Sequence, residues 1–511
     1  MDKKQSQRRV FGPHGRKVTY PRALAFGLFD LMGSGGFTVI GAFLLFFFTT
    51  FAGLTATQGA LIIGIARVVD AVASLVIGSL TDNLWRYKIG QRFGRRHFFL
   101  LIGAPLMLEY ILMWISGQGF WYYLIVYLLF EIIAAGVMIP WETLPTEMTD
   151  NYTDRTKMSA TRGFISSAGA FLATFIPGQI IKYMGQNNPD AYLVTGIIFA
   201  LIGAGAAMSA YLATWERPVT KEMQDLANRT PKRGLIKGLA KEIKDYLSTM
   251  RVKSFRKHIA IYLLSFTAKD TYNTIFVYFI VSCMGLTATD SANILSMSVI
   301  GIPTTILAGI LMIKKGPRFL WKSAFSIMLV MYVADFLVYL LQPAHPLLWL
   351  LAIGLIYQIG RQTLEFTPWN VFPFIPDLDV LITKQHREGI FAAFMTFVRK
   401  STVAVATVLV GIILDASGYK PGTQFLMHEP ASAKFAIVAV LVLLTGGMIV
   451  CALLVTLTFK LDRNSHDLIV AEIKRLENGG KKADVDPKTK EVCEELTGWD
   501  YDKLWDEDNA K

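Results

Sequence analysis

Two ionisable side chains lie deep inside apolar stretches of the sequence, where a charge has little water to solvate it. Asp70 stands about thirteen residues into the stretch 58–84, and Lys400 about twelve residues into the stretch 388–416. At 1.5 Å per helical residue, these positions lie roughly 20 Å and roughly 18 Å along a helix. A charge at that depth in hydrocarbon is costly unless it is paired or hydrated. Both side chains are therefore candidates for reversible binding of a cation, a proton or a charged ligand.

Asp70 has two interpretations. A carboxylate that alternates between a desolvated and a charge-paired environment can bind and release a cation or a proton. Arg67 lies three residues earlier on the same face of a predicted helix and could instead hold Asp70 in a structural ion pair. We expect the coupling role.

Lys400 also has two candidate roles. It could reach across to Asp70 or Asp30 and be released when a cation or substrate binds. It could instead contact a carboxylate on the substrate, because Lys and Arg suit that group. Arg399, beside it in the sequence, must then point elsewhere, toward another helix of its own half of the chain. The sequence leaves both roles of Lys400 open.

The elements that carry these residues are expected to be membrane-spanning helices. Apolar residues make up 53% and charged residues 18% of the 511, and the mean hydropathy is +0.42, which is too apolar for a soluble chain of this length. About twelve apolar stretches are long enough to cross a hydrocarbon core. They lie near 24–51, 58–84, 97–116, 119–141, 159–184, 192–215, 257–284, 289–313, 319–342, 346–370, 388–416 and 434–459.

The location of the positive charges predicts an orientation. The net charge is +12, but Lys and Arg cluster before the first stretch and in alternate connections, whereas the connections 52–57, 117–118 and 285–288 have none. This pattern predicts a multi-pass protein of the plasma (inner) membrane with both termini in the cytoplasm, and it argues against nucleic acid as a partner. The first stretch is too long for a signal peptide and contains Asp30, so we expect it to remain as a helix. The three cysteines show neither disulfide nor metal spacing.

Two pairs of segments recur at nearly one offset. FFFTTFAGLTATQGA at 46–60 resembles YFIVSCMGLTATDSA at 278–292, with Gly53 and Gly285 232 residues apart, and IPWETLP at 139–145 resembles TPWNVFP at 367–373, 228 residues later. Two matches at one offset predict a duplicated unit of six helices. An all-α membrane protein of two six-helix pseudo-repeats joined by a long polar linker resembles the major facilitator fold.

The repeat also sets the expected domain organisation. It consists of a cytoplasmic N-terminus at 1–22, a six-helix bundle at 23–215, a linker at 216–256, a second bundle at 257–460 and a cytoplasmic tail at 461–511. The tail is rich in charge, and we expect it to be solvated, with a short helix near 488–496.

A loop motif follows the second predicted span. A G-x-x-x-D sequence is followed by a basic turn that ends in R-x-G-R-R, which resembles the facilitator loop motif. Guanidinium groups beside a carboxylate at a helix end could hold the cytoplasmic side closed; the alternative is simple positive-inside anchoring. The candidate gating residues are Gly78, Asp82, Arg92, Gly94, Arg95 and Arg96.

Further motifs are spread between Pro21 and Gly418. They are ARVVDA at 66–71, PW at 140–141, EMTD at 147–150, DRT at 154–156, Arg162, REG at 387–389 and TFVRK at 396–400. Together they resemble the glycoside-pentoside-hexuronide:cation symporters, which include the melibiose carrier. The resemblance implies cation-coupled sugar transport, with Asp70 at the cation site and Arg162 on the sugar side. Lys400 then matches the family's lysine in the eleventh helix, and Asp30 matches the acidic position in the first helix, which makes Asp30 a candidate for both cation coupling and substrate binding.

The sequence departs from the melibiose carrier at positions that the resemblance makes important. Ser74 and Leu75 replace the second cation carboxylate and the proline after it, Ser34 and Met138 replace the two sugar-binding aspartates, and Glu142 replaces a tryptophan. We therefore do not expect galactoside recognition by that carrier's residues, and we favour H+ over Na+. A sodium ion held by Asp70 and Ser74 is the alternative.

Trp141 and Trp369 occupy equivalent repeat positions beside prolines at the ends of the fourth and tenth spans. Aromatic rings can stack on sugars, which makes both residues candidate substrate contacts. Tryptophans at span ends are more often interfacial anchors, and we favour that role.

The function that these features favour is import of a sugar, glycoside or oligosaccharide, with a hexuronide included, by cation symport and alternating access. We expect a monomer with a small saccharide substrate, the bilayer as its surroundings and no cofactor or enzyme activity. No Gly-rich phosphate loop supports direct use of ATP. The alternatives are a carrier of another cargo, such as a lysolipid, and a membrane sensor that does not transport.

Overall fold

The computed structural model describes residues 17–149, 151–217, 244–385, 387–425 and 428–506. The long helices follow the predicted apolar stretches, with ends that differ by at most about seven residues. They are α1 (Tyr20–Thr50), α2 (Ala56–Asn83), α3 (His97–Trp114), α4 (Phe120–Met148), α5 (Tyr152–Met184), α6 (Asp190–Ala213), α7 (Lys253–Tyr278), α8 (Ala288–Lys315), α9 (Pro317–Leu341), α10 (Pro346–Val371), α11 (Glu388–Ala416) and α12 (Ala431–Leu457).

Eleven helices of the described residues are long and apolar enough to cross a membrane. The helix at the seventh predicted span, α7, is as long and continues as a π-helical turn through Phe279–Cys283. It is more polar because it contains Lys269 and Asp270 in its middle. With α7 included, every predicted span is a helix, and the all-α fold is confirmed.

The repeated sequence GLTAT forms the same turn in both halves of the chain. Gly53 and Gly285 adopt left-handed backbone angles, with φ of +70° and +66°, which glycine tolerates without steric cost. Thr55 and Thr287 then cap α2 and α8 through capping boxes, which satisfy helix N–H groups that would otherwise lack partners. The duplication found in the sequence is therefore also a duplication of local structure.

The outer surface of the bundle is apolar, as a lipid-facing surface must be. Large aliphatic side chains point outward from helices of both halves, including Leu201, Ile306, Leu443 and Leu454, which are 58%, 63%, 67% and 58% exposed. A soluble monomer rarely exposes apolar surface on this scale. Lipid therefore takes the place of water around α1–α12.

The N-half (α1–α6) and the C-half (α7–α12) contact each other at the end of the bundle away from the chain termini. The carboxylate of Asp415, on α11, accepts the backbone N–H groups of Ala56 and Thr57 at the start of α2, at 2.9 and 2.8 Å. Thr49 on α1 is 2.9 Å from the hydroxyl of Tyr278 on α7. We call this end the opposite side and the other end the terminal side. The two halves are thus bonded together on the opposite side.

The tail corrects one expectation. The predicted short helix exists as α14 (Pro487–Thr497) and follows a longer one, α13 (Arg463–Glu477). The tail is packed on the C-half on one side rather than solvated all round, because Ser254 Oγ donates to the Leu496 carbonyl at 2.7 Å and Trp505 N donates to the Leu381 carbonyl at 2.7 Å. Apolar side chains of the tail are buried in these contacts: Ile469, Cys493, Leu496, Tyr501 and Leu504. The described tail is a folded cap on the C-half.

Candidate functional site

An ion pair joins the two halves in the middle of the bundle. Lys400 Nζ on α11 lies 2.6 Å from Asp70 Oδ2 on α2 and donates to Ser74 Oγ at 3.0 Å. Ser74 in turn donates to Asp70 Oδ1 at 3.3 Å. The structure thus forms the bridge from Lys400 to Asp70, which is one of the two roles considered for Lys400.

Small residues bring α2 and α11 close enough for this pair. A Cβ atom at Gly64 would lie 2.7 Å from the Val408 side chain, and one at Gly411 would lie 2.5 Å from the Cβ of Ala60. Glycine at these two positions lets the helices approach. This close packing brings Asp70 on α2 within ion-pair distance of Lys400 on α11.

Arg67 does not pair with Asp70 among the described residues. Its Nη1 lies 3.3 Å from Glu131 Oε1 on α4, and the Glu131 side chain is 1% exposed. The guanidinium also lies over the ring of Phe37 at 5.4 Å. Arg67 therefore forms its ion pair with Glu131 and not with Asp70.

The C-half contributes its own charge network on the same level. Arg399 forms an ion pair with Asp270 on α7, which confirms that it points into its own half. Lys269 bridges Asp270 at 3.2 Å and Glu365 at 2.9 Å, and Arg361 reaches Glu365 at 3.2 Å. Three cations thus share two carboxylates.

A cavity of about 280 Å³ lies between these networks, lined by α1, α2, α7, α10 and α11. Such a space between the two halves is where a facilitator binds its substrate. The charged residues that line it are Arg67, Lys269, Asp270, Arg361, Arg399 and Lys400. The carboxylates that pair with these cations are Asp70, Glu131, Asp270 and Glu365. Five cations facing four carboxylates leave one positive charge in excess.

Arg162 on α5 lies in a second cluster, inside the N-half. Its Nε donates to Asp30 Oδ2 at 3.0 Å and its Nη2 to Glu142 Oε1 at 3.0 Å. The guanidinium carbon lies 4.4 Å from the ring centre of Trp141. Arg162 and Glu142 are partly exposed, so a ligand could reach them. Asp30 directly precedes a π-helical turn, Leu31–Gly36, a distortion that is frequent at functional sites.

The two candidate tryptophans have different surroundings. Trp141 is fully buried, its ring packs on Phe26 at 5.0 Å, and its indole N–H donates to the Phe26 carbonyl at 2.9 Å. It therefore has no free ring face for a sugar in this conformation, and it does not lie at a lipid surface. Trp369 is 47% exposed and contacts Tyr262 edge-on at 5.8 Å, so its anchoring or sugar-binding role stays a prediction.

The loop motif after α2 folds against the N-half. Arg95 and Arg96 reach Glu147 at the end of α4, at 2.7 and 2.8 Å. Gly94, with φ of +93°, makes the turn that allows this. The side chain of Asp82 lies outside the described residues, a Cβ at Gly78 would meet no neighbour within 4 Å, and Arg92 lies over the Phe93 ring at 5.1 Å. A closing contact with the C-half stays a prediction for these motif residues.

Glu216, just after α6, holds this loop in place. Its carboxylate accepts the backbone N–H groups of Arg95 and Arg96 at 3.0 and 2.7 Å and is 2.9 Å from His97 Nδ1. Burial would raise the pKa of Glu216, but its hydrogen bonds and its attraction to His97 hold that pKa below the ordinary value. In the sequence, Glu216 stands out only as the first residue of the predicted linker 216–256.

Glu131 was missed as the partner of Arg67, whereas the pair of Arg361 and Glu365 is predicted by their spacing and confirmed at 3.2 Å. Glu131 lies near the middle of α4, so the depth argument that singled out Asp70 applies equally to it. Glu365 lies four residues after Arg361 on α10, the spacing of a helical ion pair. The depth of the residue in its span was the signal that could have found Glu131.

Two six-helix halves with a charged cavity between them define a secondary transporter of the major facilitator type. Residues 26–463 match the family described as MFS/sugar transport protein, and the chain belongs to that family, whose members transport rather than catalyse. An uncharacterised symporter of Synechocystis is 24% identical, over 88% of this chain and 96% of the relative. A glucuronide carrier protein homologue of Escherichia coli is 23% identical, over 79% and 85%.

Solved structures support the same fold. A bacterial homologue of the human lysosomal transporter Spinster, in an inward-facing and unoccupied conformation, aligns with a TM-score of 0.59 at 14% identity, over 88% of this chain and 100% of that chain. The family and the fold together make the chain a multi-pass membrane transporter of the sugar and cation symport class.

Proposed function

We propose that this protein imports an acidic saccharide together with a proton, by alternating access between its two halves. Both termini face the cytoplasm, and the membrane is the inner membrane. In this orientation the terminal side is the cytoplasmic side. The structure, bonded together on the opposite side, is then a state that opens to the cytoplasm.

The observation that carries the proposal is the ion pair between Lys400 and Asp70. Each partner belongs to a different half, so movement of the halves apart at this level must separate them. Asp70 then lies near the middle of the bilayer without its cation, which is costly unless another positive charge replaces Lys400. A coupling cation can supply that charge, and its binding thereby becomes linked to the conformational change.

A proton suits this position better than a sodium ion. The oxygen ligands that the structure brings together are those of Asp70 and Ser74, and the position of a second carboxylate in the melibiose carrier is taken by Ser74. A proton needs only one carboxylate oxygen, whereas a hard metal cation is usually held by several oxygen ligands. Binding of a proton at Asp70 therefore requires fewer oxygen ligands than binding of a sodium ion would.

The charge of the cavity favours an acidic substrate. One uncompensated positive charge faces the cavity, and a substrate carboxylate would neutralise it. Arg399 and Arg361 lie at the cavity wall, and a guanidinium can bind a carboxylate through two hydrogen bonds. A uronic acid glycoside supplies one carboxylate and several hydroxyl groups.

The test is uptake into proteoliposomes of four probes: methyl β-glucuronide, galacturonate, methyl β-glucoside and xylose. Each is offered with an inward proton gradient alone or an inward sodium gradient alone. We expect methyl β-glucuronide or galacturonate to accumulate with the proton gradient, and the neutral probes to accumulate at least about tenfold less, as for a lost charge-assisted contact. Accumulation of the neutral probes alone would exclude an acidic substrate, and accumulation with sodium alone would exclude the proton.

A further inference from the structure

Arg67 lies where it could pair with either of two carboxylates. Asp70 follows it by three residues on α2, and side chains at that spacing are neighbours on a helix. The structure nevertheless directs the guanidinium to Glu131 on α4, at 3.3 Å. Asp70 is thereby left to Lys400.

Glu131 depends on Arg67 for compensation of its charge by direct contact. Its side chain is 1% exposed, and Arg67 is its only ion-pair partner among the described residues. Tyr127, one turn earlier on α4, is also fully buried and adds no positive charge. An ionised carboxylate buried without a cation would be strongly destabilising, so Glu131 competes effectively for Arg67.

The other described neighbours of Arg67 draw it away from Asp70 less strongly than Glu131 does, since a cation–π contact is weaker than a buried ion pair. Phe37 on α1 faces it with a ring, and Asp270 on α7 is already paired with Arg399 and Lys269. Lys400 on α11 contacts Asp70 itself. The direction in which Arg67 points therefore depends on Glu131.

We propose that Glu131 is a positioning residue for coupling, which holds Arg67 away from Asp70. Asp70 can then be neutralised only by Lys400 or by the coupling cation. Without Glu131, Arg67 would turn to Asp70 and neutralise it in every conformation, since both belong to the same helix. Substrate could still cross, but the cation would no longer be required. This inference rests on the proposed coupling role of Asp70.

The experiment compares Glu131→Gln with the double variant Glu131→Gln/Arg67→Gln. Proteoliposomes are tested for proton-driven accumulation of methyl β-glucuronide and for its exchange without a gradient. We expect E131Q to lose accumulation by at least about tenfold, within the range of typical coupling energies, while it retains exchange. The double variant should regain accumulation, because no arginine remains to neutralise Asp70. Glu109→Gln, at a partly buried carboxyl of α3 outside this network, is the matched control and should behave as wild type.

Two results would overturn the inference: full accumulation by E131Q, or a double variant that accumulates as poorly as E131Q. The second result would mean that Glu131 itself is the proton carrier or is needed only for the fold. If E131Q shows no exchange, the transport assay is replaced by labelling of Asp70 with dicyclohexylcarbodiimide. This reagent reacts with protonated carboxyl groups. Labelling must then fall in E131Q and return in the double variant. Failure of wild-type protein to accumulate the probe would overturn the proposed function itself, whereas the results above concern Glu131 alone.

Discussion

Lys400 and Asp70 form a 2.6 Å ion pair that crosses the boundary between the two halves of the transporter. The Asp70 side chain is largely buried, at 8% exposed, and the Lys400 side chain is partly buried, at 25% exposed. Removing one partner of such a pair leaves the other charge uncompensated, which is worse than removing both. The two residues are therefore expected to behave as a unit in mutational experiments.

The first prediction concerns this unit. Asp70→Asn should abolish proton-driven accumulation and also slow exchange, because Lys400 loses its partner. Asp70→Asn/Lys400→Gln should restore exchange without restoring accumulation, because the unpaired charge is gone but the coupling carboxylate is still absent. Exchange and accumulation of methyl β-glucuronide in proteoliposomes measure both effects. A double variant that exchanges more slowly than D70N would show that the two residues act independently.

The second prediction concerns closure of the opposite side. Asp415→Asn should weaken the hydrogen bonds to Ala56 and Thr57 and favour opening there by about 1 kcal/mol, or about fivefold in population. A cysteine at Thr49, in a background without the native cysteines, should then react about fivefold faster with a membrane-impermeant maleimide added from that side.

Asp290→Asn is the matched control for this experiment, because Asp290 belongs to the capping box of α8 inside its own half. It should leave the reaction of the Thr49 cysteine unchanged. Equal rates in D415N and wild type would show that Asp415 does not hold the two halves together.

The third prediction concerns pH and Glu216. Because the folded protein holds the pKa of Glu216 below its ordinary value of 4.5, the carboxylate stabilises the fold above about pH 4.5. That stabilisation is lost as the pH falls through the lower folded value. Glu216→Gln should lower stability at neutral pH by about 1–3 kcal/mol, as for a lost charged acceptor, and flatten the acid dependence of Tm. Glu477→Gln, at an exposed tail position, should change neither, and a similar acid dependence in E216Q and wild type would contradict the assignment.

The fourth prediction concerns the folded tail. Leu496 is 2% exposed. Leu496→Ala should therefore lower the free energy of unfolding of the packed tail by about 2–5 kcal/mol, because it leaves a cavity. Hydrogen exchange of residues 463–506 should accelerate, because the tail would detach from the C-half more often. Leu454→Ala, at a lipid-facing position of α12, should not change that exchange. Rapid exchange of these residues already in wild-type protein would contradict the packed arrangement.

Much of the fold follows from the sequence because the bilayer imposes a simple rule. Backbone groups in hydrocarbon must bond within the segment, so each long apolar stretch becomes a helix. The span at Lys269 and Asp270 was found in the same way, despite its lower hydropathy. The tail was mistaken for a solvated segment because its apolar residues are spaced among charges, and nothing in that spacing indicates which surface they pack on.

The site could be predicted only in part. Depth in a span singles out Asp70 and Lys400 as candidate functional residues, and a contact between them is one of the two roles that the sequence leaves open for Lys400. Partner choice is different, because Arg67 has Asp70 beside it in the sequence but pairs with Glu131 on another helix. Such a choice depends on the rotation of α4 relative to α2, which one sequence does not contain.

The central claim is that substrate enters together with a proton carried by Asp70. The most direct measurement is the pH inside proteoliposomes after methyl β-glucuronide is added outside, with no gradient imposed beforehand. We expect the interior to acidify on addition of the probe in wild-type protein and not in Asp70→Asn, although the variant still exchanges the probe. Uptake of the probe by wild-type protein without acidification, or equal acidification by both proteins, would contradict the account.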